Sequence, residues 1–295
     1  MSRPLVLKKS LLLPNHQGDL MPADVRFPEH GGNLPVVVIC HSFMAFKDWG
    51  FFPYAAEELA RAGMVTVAFN FSHNGVAGNG NRITDFGRFE RNTFSRELDD
   101  LGALLDGLRS AGTLPSVADP DMIALLGHSR GGGLAIVRGA DDARVSAVVS
   151  WSAIATFDRW TPHQKAAWRS AGHLPLARNT TVSPLRLGLD LLRDVEENRG
   201  ALDIVRAGSR LGKPWLILHG REDRTVQVRE SEALYAAADK AATDLIVLDH
   251  VGHLYNAATR AEDGYRTLDR VIDATSQWLL RTLHTRRTHA TDSRS

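Results

Sequence analysis

A serine hydroxyl is a weak nucleophile until a strained turn holds it out beside a base and an oxyanion site. Ser129 is the centre of Gly127-His128-Ser129-Arg130-Gly131, a G-x-S-x-G pentapeptide. Before it, residues 122–126 (Met-Ile-Ala-Leu-Leu) read as a buried strand. After it, residues 130–137 open a helix rich in small residues. Strand, sharp turn and helix make a nucleophile elbow, with the flanking glycines letting the turn tighten. The competing reading is an ordinary glycine-rich turn between a strand and a helix.

Such a serine needs a histidine base, and the base needs a carboxylate to fix its tautomer. On an elbow these follow in the order serine, acid, histidine. Residues 214–219 read as a strand, and Arg221-Glu222-Asp223-Arg224 leaves its end. Asp223 is the preferred acid and Glu222 its neighbouring rival. The next strand, 244–249, is followed by His250-Val251-Gly252-His253. His253 is the preferred base and His250 the competitor. His219 reads as a packing or hydrogen-bonding residue, and His128 flanks the nucleophile. An oxyanion site needs two backbone N–H groups. Arg130 supplies one by position. Phe43, in the loop after the strand ending at His41, is the candidate for the other.

These residues sit on an alternating series of elements. Residues 5–13 and 20–27 flank a turn at 15–19 and predict an antiparallel hairpin. Strands follow at 35–41, 64–70, 122–127, 144–150, 214–219 and 244–249. Helices are expected at 53–62, 89–109, 227–240 and 260–283. Alternation of this kind predicts an α/β fold with a mostly parallel central sheet and helices on both faces. Residues 152–212 interrupt it with short helical patterns and no convincing strand. That length exceeds an ordinary connection, so it reads as a helical lid over the C-terminal sheet edge. The core is then 1–151 with 213–285, and 286–295 reads as a flexible tail.

The chain has 295 residues, 43% hydrophobic and 23% charged, with a formal net charge of +1. These values fit a globular enzyme and give no basic surface for nucleic acid or membrane. Cys40 is the single cysteine, so no disulfide forms within one chain and it reads as a small buried hydrophobe. The N-terminus lacks a signal-peptide pattern and no stretch is long enough for a membrane span. The expected compartment is the cytoplasm. No metal-ligand spacing and no phosphate loop are present, so no metal and no cofactor are expected. A homodimer is open.

The motifs His41-Ser42-Phe43, Gly127-His128-Ser129-Arg130-Gly131, His219-Gly220-Arg221-Glu222-Asp223 and Gly252-His253 resemble those of the α/β-hydrolase superfamily over residues 20–283. The chain looks most like its bacterial esterase and acyl-peptidase-like branch, with feruloyl and cinnamoyl esterases and dienelactone hydrolases. The resemblance implies cofactor-free ester cleavage under an inserted helical lid. Ser42 departs from it, standing where glycine is usual in that loop.

Function reads as serine hydrolysis of a carboxylic ester of a small or medium-sized molecule. Thioester, amide and carbon–carbon substrates remain open, including an acyl-aminoacyl or dipeptidyl peptidase-like activity. A peptidase would want a carboxylate pair such as Glu196-Glu197, which otherwise reads as a solvated helix face. Trp151, Trp160 and Trp168 form a candidate aromatic wall for the substrate, or simply pack the lid. Lys47-Asp48-Trp49 either lines the entrance or pins the oxyanion loop. A non-catalytic binding module on the same fold is the alternative from outside enzymology.

Overall fold

The computed structural model describes residues 4–78, 80–176, 185–257 and 265–292. Strands β1 (Val6–Pro14) and β2 (Leu20–Pro28) form the antiparallel hairpin. Its turn is held by Asn15, whose Oδ1 accepts from the Gln17 and Asp19 N–H groups. The chain continues through β3 (Leu34–Cys40), α1 (Phe52–Arg61), β4 (Val65–Phe69), α2 (Phe86–Glu90) and α3 (Phe94–Leu108). Then come β5 (Ala118–His128), α4 (Arg130–Asp141) and β6 (Val145–Trp151). After an insertion follow α7 (Ile204–Ser209), β9 (Trp215–Gly220), α8 (Val228–Ala237), β10 (Thr243–Leu248) and α9 (Arg266–Asp292). The insertion itself contributes α5 (Pro162–Ala171), β7 (His173–Pro175), β8 (Arg186–Gly188) and α6 (Leu189–Glu197).

The eight-stranded sheet has the order β1-β2-β4-β3-β5-β6-β9-β10. From β4 to β10 every neighbouring pair is parallel, and β2 runs antiparallel to β4. Strands buried on both faces must be apolar at successive positions, and the period of two then sorts them between two cores. Val36, Val38, Trp215 and Ile217 face one core with α3, α4 and α7. Val37, Ile39, Leu216 and Leu218 face the other with α1 and α9. Among the described residues no helix is long and apolar enough to cross a membrane.

Four details differ from the sequence-based expectation. The helix expected over 89–109 is two helices, because Thr93 takes an extended backbone and its hydroxyl accepts from the Arg96 N–H to cap α3. The insertion contains a small antiparallel pair, β7 with β8, at positions expected to be helical or irregular. Helix α7, counted with the lid, packs on the core instead, its Ile204 and Ala207 buried with residues of α4. Finally, α9 continues through 286–292 where a flexible tail was expected, since no glycine or proline interrupts it. Residues 260–264 of that predicted helix, 177–184 of the insertion and 293–295 of the tail lie outside the described residues.

The elbow depends on close backbone approach. A Cβ on Gly127 would sit 2.1 Å from the Gly131 carbonyl oxygen, and one on Gly131 would sit 2.2 Å from that of Cys40. Both obstacles are backbone and cannot rotate away. Gly131→Ala is therefore expected to destabilise the fold by about 3 kcal/mol or more, by forcing α4 off the end of β3. A shifted midpoint in urea unfolding checks this; an unchanged midpoint contradicts it.

Candidate active site

Ser129 lies between β5 and α4 with φ 57° and ψ −117°. A non-glycine residue in that region is strained, and the surroundings must hold it there. Its N–H donates to the Trp151 carbonyl, and its own carbonyl accepts from the N–H groups of Gly132, Gly133 and Ile154. The side chain lines a cavity of about 270 Å³.

Asp223 and His253 meet beyond the ends of β9 and β10. His253 Nδ1 lies 2.7 Å from Asp223 Oδ2. The other carboxylate oxygen accepts from the Thr225 and Val226 N–H groups, both at 2.9 Å. His219, fully buried, approaches from the other side, its Nε2 3.4 Å from Asp223 Oδ2 and 2.9 Å from the Val226 carbonyl. Burial by itself would raise the Asp223 pKa; the hydrogen bonds from His219, His253 and Val226 outweigh it and hold the carboxyl well below the usual range. The rivals pair with each other at the surface, His250 Nδ1 lying 2.9 Å from Glu222 Oε1. Two adjacent acids and two nearby histidines are thus sorted into one largely buried pair and one exposed pair.

His128 ties the histidine loop to the elbow. Its Nε2 donates to the His253 carbonyl at 2.9 Å, and the two rings are 4.6 Å apart. Burial lowers its pKa to about 3, so the ring is neutral. Among the described residues no hydrogen bond joins Ser129 Oγ to His253. Such contacts commonly tighten only when substrate is bound.

Among the described residues, neither the Phe43 nor the Arg130 N–H has a partner within the protein. The helix opening at Arg130 adds its positive dipole end to the same place. Ser42 does not take a positive φ; Met44 does, at 58°. Position 42 therefore makes no left-handed demand that only glycine could meet. The loop is fastened by Lys47, whose N–H donates to Asn70 and whose ammonium lies 2.8 Å from the buried Asp24 carboxylate. Lys47 thus pins the loop and does not line the cavity.

The cavity lies under the insertion. Phe43, Phe94, Ile154, Phe157, Trp160, Leu176, Leu187 and Leu191 supply its apolar wall. Of the three tryptophans expected to form that wall, only Trp160 does so. Trp151 is a correction: it shares the sheet face of Val149, lies in the α1 and α9 core, and donates from Nε1 to Thr275. Trp168 is another: it is fully buried behind Trp160, with ring centroids 5.1 Å apart. Glu196 of α6 is engaged within the insertion by Arg169 of α5, at 2.6 Å, which does not suit a peptide anchor.

One group of residues escaped the sequence reading. Arg130 Nη2 donates to Glu97 Oε1 at 2.6 Å, and Asn92 Nδ2 donates to the same oxygen at 2.8 Å. The guanidinium carbon lies 4.8 Å from the Phe43 ring centroid and 5.9 Å from that of Phe94. Burial raises the Glu97 pKa and lowers that of Arg130, each partly offset by the partner's charge. The available signal was Glu97 itself, a charged residue on the α3 stripe of Phe94 and Leu101. Among the described residues no three His, Cys, Asp or Glu side chains converge on a metal position.

No protein-family model matches the chain. It is 28% identical over 207 residues to 2,6-dihydropseudooxynicotine hydrolase of Paenarthrobacter nicotinovorans. That match covers 69% of this chain but 48% of the relative, so the chain spans about half of that protein's length. The esterase domain of a Rhodothermus marinus protein superposes with a TM-score of 0.62 at 18% identity, covering 94% of this chain and 99% of that one. The α/β hydrolase GrgF of Penicillium sp. sh18 superposes with a TM-score of 0.71 at 13% identity, with coverage of 94% and 99%. With the strand order and the elbow, these similarities establish that the chain has the α/β-hydrolase fold.

Proposed function

We propose that this chain is a serine hydrolase that cleaves a carboxylic ester of a small or medium-sized substrate through Ser129, His253 and Asp223. The observation that carries this reading is the 2.7 Å contact between His253 Nδ1 and the buried Asp223, joined through His128 to the strained serine at the cavity. Asp223 holds the proton on His253 Nδ1, which leaves Nε2 as the base. Ser129 Oγ attacks the acyl carbonyl as Nε2 takes its proton. The Phe43 and Arg130 N–H groups stabilise the tetrahedral oxyanion. The imidazolium then protonates the leaving alcohol, and water repeats the sequence on the acyl-enzyme. The segment from residue 152 to α6 acts as a lid that keeps bulk water from the acyl group. An esterase domain among the structural neighbours and a hydrolase among the curated relatives support the class.

A cavity of about 270 Å³ is small for a ligand site. In a series of p-nitrophenyl esters from acetate to dodecanoate, kcat/KM is expected to be highest for short chains and to fall steeply toward dodecanoate. Each short ester is expected to give a burst of p-nitrophenol equal to the enzyme concentration whenever deacylation is the slower step. Folded protein that hydrolyses no member of the series contradicts the reading.

A further inference from the structure

Arg130 has a role in the proposed chemistry only through its backbone N–H. Any residue supplies an N–H there, yet this one carries a guanidinium buried in an otherwise mostly apolar cavity wall. Burying a charged pair is costly, and an apolar side chain of similar volume would serve packing as well or better. The pair is incompletely satisfied. Among the described residues Arg130 Nε and Glu97 Oε2 are buried without partners, and Nη1 has no protein acceptor. The second arginine of the lining differs: Arg159 places Nη1 and Nη2 on the two oxygens of Glu230, at 2.7 and 3.0 Å. Arg130 therefore keeps a buried donor left over at the cavity, where the pair of Arg159 with Glu230 is half-exposed to solvent.

We propose that the Arg130 guanidinium, held in place by Glu97 and the Phe43 and Phe94 rings, recognises a neutral keto or hydroxyl oxygen on the acyl part of the substrate. The inference rests on the serine hydrolase reading and adds a substrate class to it. The acceptor is neutral because Glu97 already balances the charge of Arg130. A substrate carboxylate would place two anions around one cation in apolar surroundings, at a cost in desolvation and repulsion. The rest of the acyl group is apolar, as the wall of Phe157, Trp160 and Leu191 requires. Phe43 links the two recognition events, its N–H serving the scissile carbonyl and its ring the guanidinium.

The test compares p-nitrophenyl 4-oxopentanoate and 5-oxohexanoate with the matching 4-methylpentanoate and 5-methylhexanoate. Each pair has the same heavy-atom skeleton, with a methyl group standing in place of the keto oxygen. The wild type is expected to favour the oxo ester by about tenfold or more in kcat/KM at one of the two positions, the effect of one hydrogen bond to a charged donor. In Arg130→Met with Glu97→Gln, which leaves no charge buried alone, the ratio is expected to fall to about one. Arg130→Lys keeps a cation beside Glu97 but loses the fork, and its ratio is expected to fall as well. It serves if the double variant does not fold. A purely structural role slows both esters equally and leaves the ratio intact, which overturns the proposal. A wild type that reacts with a fluorophosphonate at Ser129 but shows no preference also overturns it, while the hydrolase reading stands. A wild type that neither labels nor hydrolyses overturns both.

Discussion

Ser129→Ala is expected to lower kcat on p-nitrophenyl acetate by about 10⁴-fold or more while leaving the thermal midpoint close to that of the wild type. Alanine and serine both carry a Cβ, so both pay the same backbone strain at φ 57°. The bonds that hold position 129 are backbone bonds, to Trp151 on one side and Gly132, Gly133 and Ile154 on the other. The substitution therefore removes the proposed nucleophile and little else. What remains is hydrolysis by water in a site that still offers the Phe43 and Arg130 N–H groups. Activity within about tenfold of the wild type, after active-site titration excludes contamination, contradicts the assignment of the nucleophile.

Asp223→Asn is expected to reduce kcat by about 10³- to 10⁴-fold with a small change in KM. The magnitude follows from how the carboxylate is fixed. One oxygen accepts from Thr225 and Val226 N–H groups, so an asparagine must place its carbonyl oxygen there. Its amide NH₂ then faces His253 Nδ1, which must become an acceptor. The ring proton moves to Nε2, and the base that faces the substrate is lost. Stability responds too. The native Asp223 carboxyl ionises well below the ordinary range. Its stabilisation is therefore present above the unfolded carboxylate pKa of about 4 and is lost as pH falls toward the native value. The thermal midpoint gap between wild type and Asp223→Asn is expected to narrow as pH is lowered below about 4. A constant gap contradicts the low native pKa.

Much of the geometry of this candidate site was legible because its residues are local in sequence. Strand, G-x-S-x-G and helix declare an elbow within sixteen residues or so of chain, and the acid and base each follow a strand that alternation identifies. Discrimination between Asp223 and Glu222, or His253 and His250, turned on position alone, and the geometry places each pair in different surroundings. The tryptophans were harder. A strand buried on both faces carries the same apolar residues on each, so composition does not tell which core Trp151 enters. Its register with Val149 does, once one face is fixed by neighbours. The Arg130–Glu97 pair joins residues on two helices that only the fold brings together. Helix α7 was misassigned because its packing on α4 is a tertiary contact, invisible to local periodicity.

The central claim is that Ser129 is an activated nucleophile, and covalent labelling tests it most directly. The wild-type protein would be incubated with a fluorophosphonate, digested, and the modified peptide sequenced by mass spectrometry. The account predicts one adduct per chain on Ser129, absent from Ser129→Ala and slowed strongly in Asp223→Asn. Folded wild-type protein that takes up no label, or takes it up on a different residue, would contradict it.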